Sequence, residues 1–223
     1  MASESGPTVA TAAKPASGSD GAAEAADGRL ARGERTRRAL AEALIGLLEE
    51  GDARPTARRI AARAGVSLRL VYHHFEDVES ILRAAVAIQE QRHWRHIRPV
   101  EPALPLAERV AGVVRQRTGV FQAVAPVRRA AEAMADSSPT IAGELARARS
   151  RLRAQLRATF APELDRGTTP SAASRLDVLE VATSWETWEQ LQRMGRGAAA
   201  CRRTMELLAT AAVGGPTGTG GRT

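Results

Sequence analysis

The most constraining stretch of the sequence runs from Thr56 to Phe75, because five of its positions must satisfy five different steric demands at once. Two short helices that cross at a tight turn need apolar side chains facing inward, here Ile60 and Val71. They need a small residue at the crossing, Ala61, and a residue free to take a positive φ at the turn, Gly65. Val66 plugs that turn. Thr56 and Ser67 stand where each helix needs a capping oxygen. The spacing predicts a helix from Thr56 to about Arg63 and another from Ser67 to about His74, the layout of a helix-turn-helix.

If Val71 and Phe75 point inward, four residues apart, then Leu68, Arg69, Tyr72 and His73 are left on the outer face. This short helix carries the only tyrosine and two of the four histidines in a chain that is 3% aromatic. Its surroundings are basic. Residues 29–75 hold ten arginines against five acids, whereas the excess elsewhere is dilute, and the whole chain has a formal charge of +7. A helix presenting Arg69 for a guanine edge or a phosphate, Tyr72 and His73 for phosphates and Leu68 for a thymine methyl suits the major groove of double-stranded DNA.

Around this unit the 3.6-residue period dominates. Leu40, Leu44, Leu47 and Leu48 mark a first helix from about Glu34 to Glu50, stopped by Gly51. Val78, Ile81, Leu82, Ala85 and Ile88 mark a fourth, opened by Asp77 and ending before Pro99. Leu106, Val110, Val113, Val114 and Phe121 mark a fifth, with Pro126 and Pro139 as punctuation after it. Leu145, Leu152, Leu156 and Phe160 share a face of the next helix. Thr169 and Pro170 open a helix to about Met194, and Gly195 and Gly197 separate it from a last one ending near Val213. Residues 1–28 and 214–223 read as flexible tails. Arg29, Arg32 and Arg35 then precede the first helix, either as a solvated tail that serves solubility only or as an arm that follows the DNA backbone or enters a minor groove. The expected fold is all-α.

The sequence resembles the tetracycline-repressor (TetR) family of bacterial transcriptional regulators. The resemblance rests on RALAEALIGLLEEG (residues 38–51), on Thr56 with IAARAGVS (residues 60–67) and on VYHHFEDVESIL (residues 71–82). It implies an N-terminal three-helix helix-turn-helix DNA-binding domain over residues 29–80 and a C-terminal helical ligand-binding and dimerisation domain over residues 81–213. The DNA-binding residues would be Arg38, Thr56, Ala57, Arg58, Ser67, Leu68, Arg69, Tyr72, His73 and His74. Phe121, Gln122 and Trp185 would line a pocket for a small-molecule effector, with burial in a helix-helix core or dimer seam the alternative for Trp185 and Trp188. A homodimer would form through helices 170–194 and 197–213, using Leu176, Val178, Val181, Trp185, Trp188, Met205, Leu208 and Ala212. Three residues depart from the family pattern: Arg69 replaces a common glycine, Leu70 a small or polar residue, and Val78 a lysine that grips a phosphate.

The function this implies is a cytoplasmic, homodimeric repressor, released from a palindromic operator by its effector. The alternatives are an effector-independent regulator of the same fold and a helical enzyme or small-molecule binder. Nothing in the sequence argues for catalysis, since nucleophile elbows, phosphate loops and metalloprotease motifs are all missing. Adjacent His73 and His74 diverge by about 100° on a helix and cannot grip one ion, so no metal or cofactor is expected. His93 and His96, three apart, are read as exposed or pocket-lining. No apolar run has membrane-spanning length, and one cysteine, Cys201, allows no internal disulfide.

Overall fold

The computed structural model describes residues 20–166 and 171–214, and every regular element among them is helical. In order these are α1 (Asp20–Glu49), α2 (Ala57–Ala64), α3 (Leu68–His74), α4 (Val78–His93) with a 3-10 turn at Trp94–His96, α5 (Leu106–Glu132), α6 (Pro139–Thr159), α7 (Ala161–Leu164), α8 (Ala172–Ala182), α9 (Trp185–Arg193) and α10 (Ala198–Val213). The all-α expectation holds.

Helix starts follow the capping residues. The Thr56 hydroxyl accepts the Arg59 N–H at 3.3 Å, and the Ser67 hydroxyl accepts that of Leu70 at 3.2 Å. Asp77 and Ser80 form a reciprocal capping box at the start of α4. Each such cap stabilises its helix by about 1 kcal/mol. Gly65 ends α2 at φ 68°, a conformation that a Cβ would strain, and Val66 donates back to the Ala61 carbonyl at 3.0 Å. Ser138 caps α6 ahead of Pro139, as the spacing predicts.

Two apolar clusters hold the helices together. The first packs Leu40, Leu44, Ile60, Val71, Phe75 and Ile81 of α1–α4. It also takes Val127 and Ala131 from the end of α5 and Ile141 and Leu145 from the start of α6. The second joins Val113, Val114 and Phe121 to Leu156, Phe160, Leu176, Leu179, Trp185, Trp188 and Met205. Between α5 and the α6–α7 corner lies a buried ion pair, in which Arg109 grips both Glu163 carboxylate oxygens at 2.6 Å. Arg109 also donates to the carbonyls of Leu104 and Thr159.

The structure departs from the sequence reading in three places. First, α1 begins at Asp20 rather than near Glu34, so residues 20–28 of the expected tail are helical, and Arg29, Arg32 and Arg35 ride on a helix rather than an extended arm. Alanine-rich composition with acids leading and arginines following favours that extension, although no apolar stripe marks it. Residues 1–19 and 215–223 of the two tails lie outside the described residues.

Second, α5 runs straight through Pro126. Proline deprives the Gln122 carbonyl of its helical partner, and Gln122 sits on the solvent face where water can supply the bond. Third, the single helix expected to run to Met194 is two. Thr183 leaves helical geometry, and Ser184 caps α9 by accepting the Thr187 N–H at 3.0 Å. Thr169 and Pro170 lie outside the described residues, and α8 is capped instead by Ser171.

That break changes the roles of the expected seam residues. Leu176, Trp185, Trp188 and Met205 are all buried within the protomer's own core. Val178, Val181 and Leu208 are exposed, joined by Leu207 at 71%.

Candidate DNA interface and effector cavity

The α2–α3 unit presents the face that its pattern predicts. Val71 and Phe75 are buried, while Leu68, Arg69, Tyr72 and His73 point outward, Tyr72 at 57% exposure. Arg59 and Arg63 are committed to Asp52 at 2.9 Å and Glu50 at 2.6 Å. Arg58 and Arg69 make no ion pair among the described residues, so the uncommitted positive charge of this unit falls at the start of α2 and on the outer face of α3. Arg38 is exposed on α1, 3.8 Å from Glu42, which also receives Arg92. Thr56 and Ser67 are exposed caps, placed where helix N-termini attract phosphate.

Two of the expected contact residues are differently placed. The Ala57 methyl is buried, so only its backbone can face a ligand. His74 is half-buried against α1 near Gly33, with its ring 5.1 Å from that of His73 in an edge-on arrangement. Burial, then His73 and Arg37, push its pKa below the usual histidine value. Its packing against α1 places it at the hinge between α3 and α4. Arg37, which the pattern did not single out, donates to the His74 carbonyl and lies 4.3 Å over the Phe75 ring. It ties α1 to the end of the exposed helix.

A cavity of about 90 Å³ lies among α4, α5, α6 and the α8–α9 junction. Phe121 and Trp185 both line it, meeting edge-on at 5.8 Å. Gln122 does not: it is exposed on the opposite side of α5. Sequence reasoning missed Gln89, Arg117, Leu145 and Leu152, which also line the cavity. The signal for Arg117 was present, because it falls on the apolar stripe between Val113 and Phe121, where a charge needs a reason to be buried.

Residues 39–85 match the profile of the bacterial regulatory proteins of the tetR family. Over those residues the chain carries the N-terminal domain of the tetR family. The matched segment contains α2 and α3, which form its helix-turn-helix. The fold of the chain is similar to the crystal structure of a Mesorhizobium loti protein assigned to the TetR-family transcriptional regulators, with a TM-score of 0.57 and 20% sequence identity over 82% of this chain and 97% of that one. Among curated proteins, none matches the sequence.

Arg69 stands exposed on the outer face of α3. Arg69→Ala is expected to weaken operator binding by about 1–3 kcal/mol and to relax the base preference at one position of each half-site. The fold should be unchanged, since the side chain is exposed. Binding isotherms against operator variants check this. Unaltered affinity and preference would mean that α3 meets DNA by another face.

Proposed function

We propose that this chain is a DNA-binding transcriptional regulator, a homodimeric repressor that binds a palindromic operator and leaves it when a small molecule enters the cavity. The observation that carries the reading is a shared wall. Val127, Ala131 and Leu145 line the cavity and also belong to the apolar cluster that packs α1–α4. Val86 and Gln89 of α4 line it from the other side. A ligand that moves these residues moves the packing under α2 and α3, and with it the separation of the two DNA-reading helices. Two such helices fit successive major grooves only when about 34 Å apart.

The homodimer is supported by an uncovered apolar face. Val178 and Val181 on α8 and Leu207 and Leu208 on α10 are 44–71% exposed, on helices that pack against each other. Four such side chains on neighbouring helices form a patch that suits a two-fold partner. The site of action is proposed to be the cytoplasm. No helix among the described residues is long and apolar enough to cross a membrane.

The experiment is a mobility shift of the purified chain on its own upstream DNA, with and without candidate ligands. Ligand-dependent release supports the reading. Tight binding that no cavity-occupying ligand alters favours an effector-independent regulator, and absence of specific binding removes the operator from the account.

A further inference from the structure

We propose that the cavity takes a small organic acid, a monocyclic or short-chain carboxylate whose charged end meets Arg117 and whose apolar body lies against Phe121, Trp185 and Leu145. The proposal rests on reading this cavity as the effector site, and it names the chemical class of the effector.

Arg117 is fully buried on α5 and lines the cavity. Its partners are all neutral: Nε donates to Gln155 Oε1 at 3.0 Å, Nη1 to the Thr183 carbonyl and hydroxyl at 3.1 and 2.7 Å, and Nη2 to the Leu152 carbonyl at 2.5 Å. A guanidinium has five N–H groups, so one remains on Nη2 without a partner among the described residues. Burial pushes its pKa down to about 9, with the charge of Glu180 opposing, yet it stays charged at neutral pH. Neutral acceptors alone compensate a buried cation poorly, and a carboxylate entering the cavity would complete it.

The other charges around the cavity are already engaged. Glu90 and Glu186 lie 3.6 and 3.5 Å from Arg151 and Arg149, and Glu144 and Glu180 are held by Arg147 and Arg153. Arg128 and Arg151 stand over the rings of Trp185 and Trp94 at 5.7 and 5.5 Å. A cationic ligand therefore meets no uncommitted carboxylate and finds both indole rings attended by arginines. An independent sign of a missing partner is Gln89, which lines the cavity with its Oε1 buried and unbonded among the described residues. That oxygen calls for a donor, such as a hydroxyl on the acid.

The test uses the full-length protein and its own tryptophans. Of the three in the chain, Trp94 and Trp185 line the cavity and Trp188 lies 5.0 Å from Trp185. Fluorescence titrations compare phenylacetate and hexanoate with phenylacetamide, hexanamide and hexylamine. The acids should saturate the signal and bind about tenfold to a hundredfold tighter than the uncharged and cationic analogues. Arg117→Gln should erase that preference and Arg117→Lys should retain part of it, while the wild-type comparison stands even if a variant fails to fold. 4-Hydroxyphenylacetate should bind tighter than phenylacetate, with the gain lost in Gln89→Leu. Amides or the amine binding as well as the acids would overturn the acid class and leave the effector cavity intact. Acids that bind without releasing DNA would leave the acid site standing and overturn its regulatory role, whereas silence from every probe would overturn both.

Discussion

Glu163→Ala is expected to destabilise the protein by about 3–5 kcal/mol, because it strands the Arg109 guanidinium in the interior. Both partners of this pair are about 5% exposed or less and are joined by two parallel 2.6 Å hydrogen bonds. Stabilities of natural domains are commonly about 5–15 kcal/mol, so the loss would be a large share of the total. Chemical denaturation measures it directly. The same pair shapes the acid limb of the stability curve. Hydrogen bonds from Arg109 hold the Glu163 carboxyl below its ordinary pKa despite the opposing effect of burial. A depressed carboxylate contributes stability that is fully present above the unfolded value, about 4.3, and disappears as pH falls through the folded one. The Ala variant should therefore show a flatter loss of stability below about pH 4.3 than the parent. Replacing both partners, Arg109→Met with Glu163→Leu, should recover much of the deficit, since neither charge is then left unpaired. A Glu163→Ala cost near zero would mean that water reaches Arg109.

The paired substitution Val181→Glu with Leu207→Glu is expected to give a folded monomer. Both side chains are more than 60% exposed in the single chain, so charging them costs the protomer little. At a two-fold seam each carboxylate would be desolvated among apolar groups and repeated by symmetry. The monomer should bind a single half-site and lose about 10²–10⁴-fold of the apparent affinity for the full operator, because the second contact is no longer intramolecular. Light scattering and operator titrations on one preparation check both halves of the claim. Trp185→Glu provides the contrast, as it charges a side chain 6% exposed in the protomer's own core and should unfold it. A wild-type chain that scatters as a monomer at micromolar concentration would remove the seam from the account.

Apart from the N-terminal extension of α1, the first four helices were legible because each local signal agreed with its neighbours. Thr56, Ser67 and Asp77 cap where expected, Gly65 turns, and the apolar stripe of each helix finds the shared core. Further along, signals conflicted. Pro126 reads as a breaker, yet α5 continues because flanking Ala125 and Val127 are packed on the inside while the carbonyl left unbonded faces solvent. Thr183-Ser184 carries a capping signal, but the surrounding run of apolar and helix-forming residues concealed it. The break is held by tertiary contacts, since Arg117 binds both the carbonyl and the hydroxyl of Thr183 across 66 residues of chain. Once α8 ends there, Trp185 and Trp188 are buried, and the apolar surface left uncovered on α8 is the one carrying Val178 and Val181. Spacing along one helix says which residues share a face, and a long-range bond decides what that face meets.

The first apolar cluster has a consequence for protein engineering. Its interior is completed by Val127, Ala131, Ile141 and Leu145, residues some fifty or more positions beyond the end of α3. The Ser138 hydroxyl also bonds Glu79 on α4 at 2.6 Å. A chimera that transplants only residues 29–80 onto another regulator would carry the reading surface but leave behind part of its foundation. To exchange operator specificity without loosening the graft, the α5–α6 corner has to travel with the head as part of the same cassette.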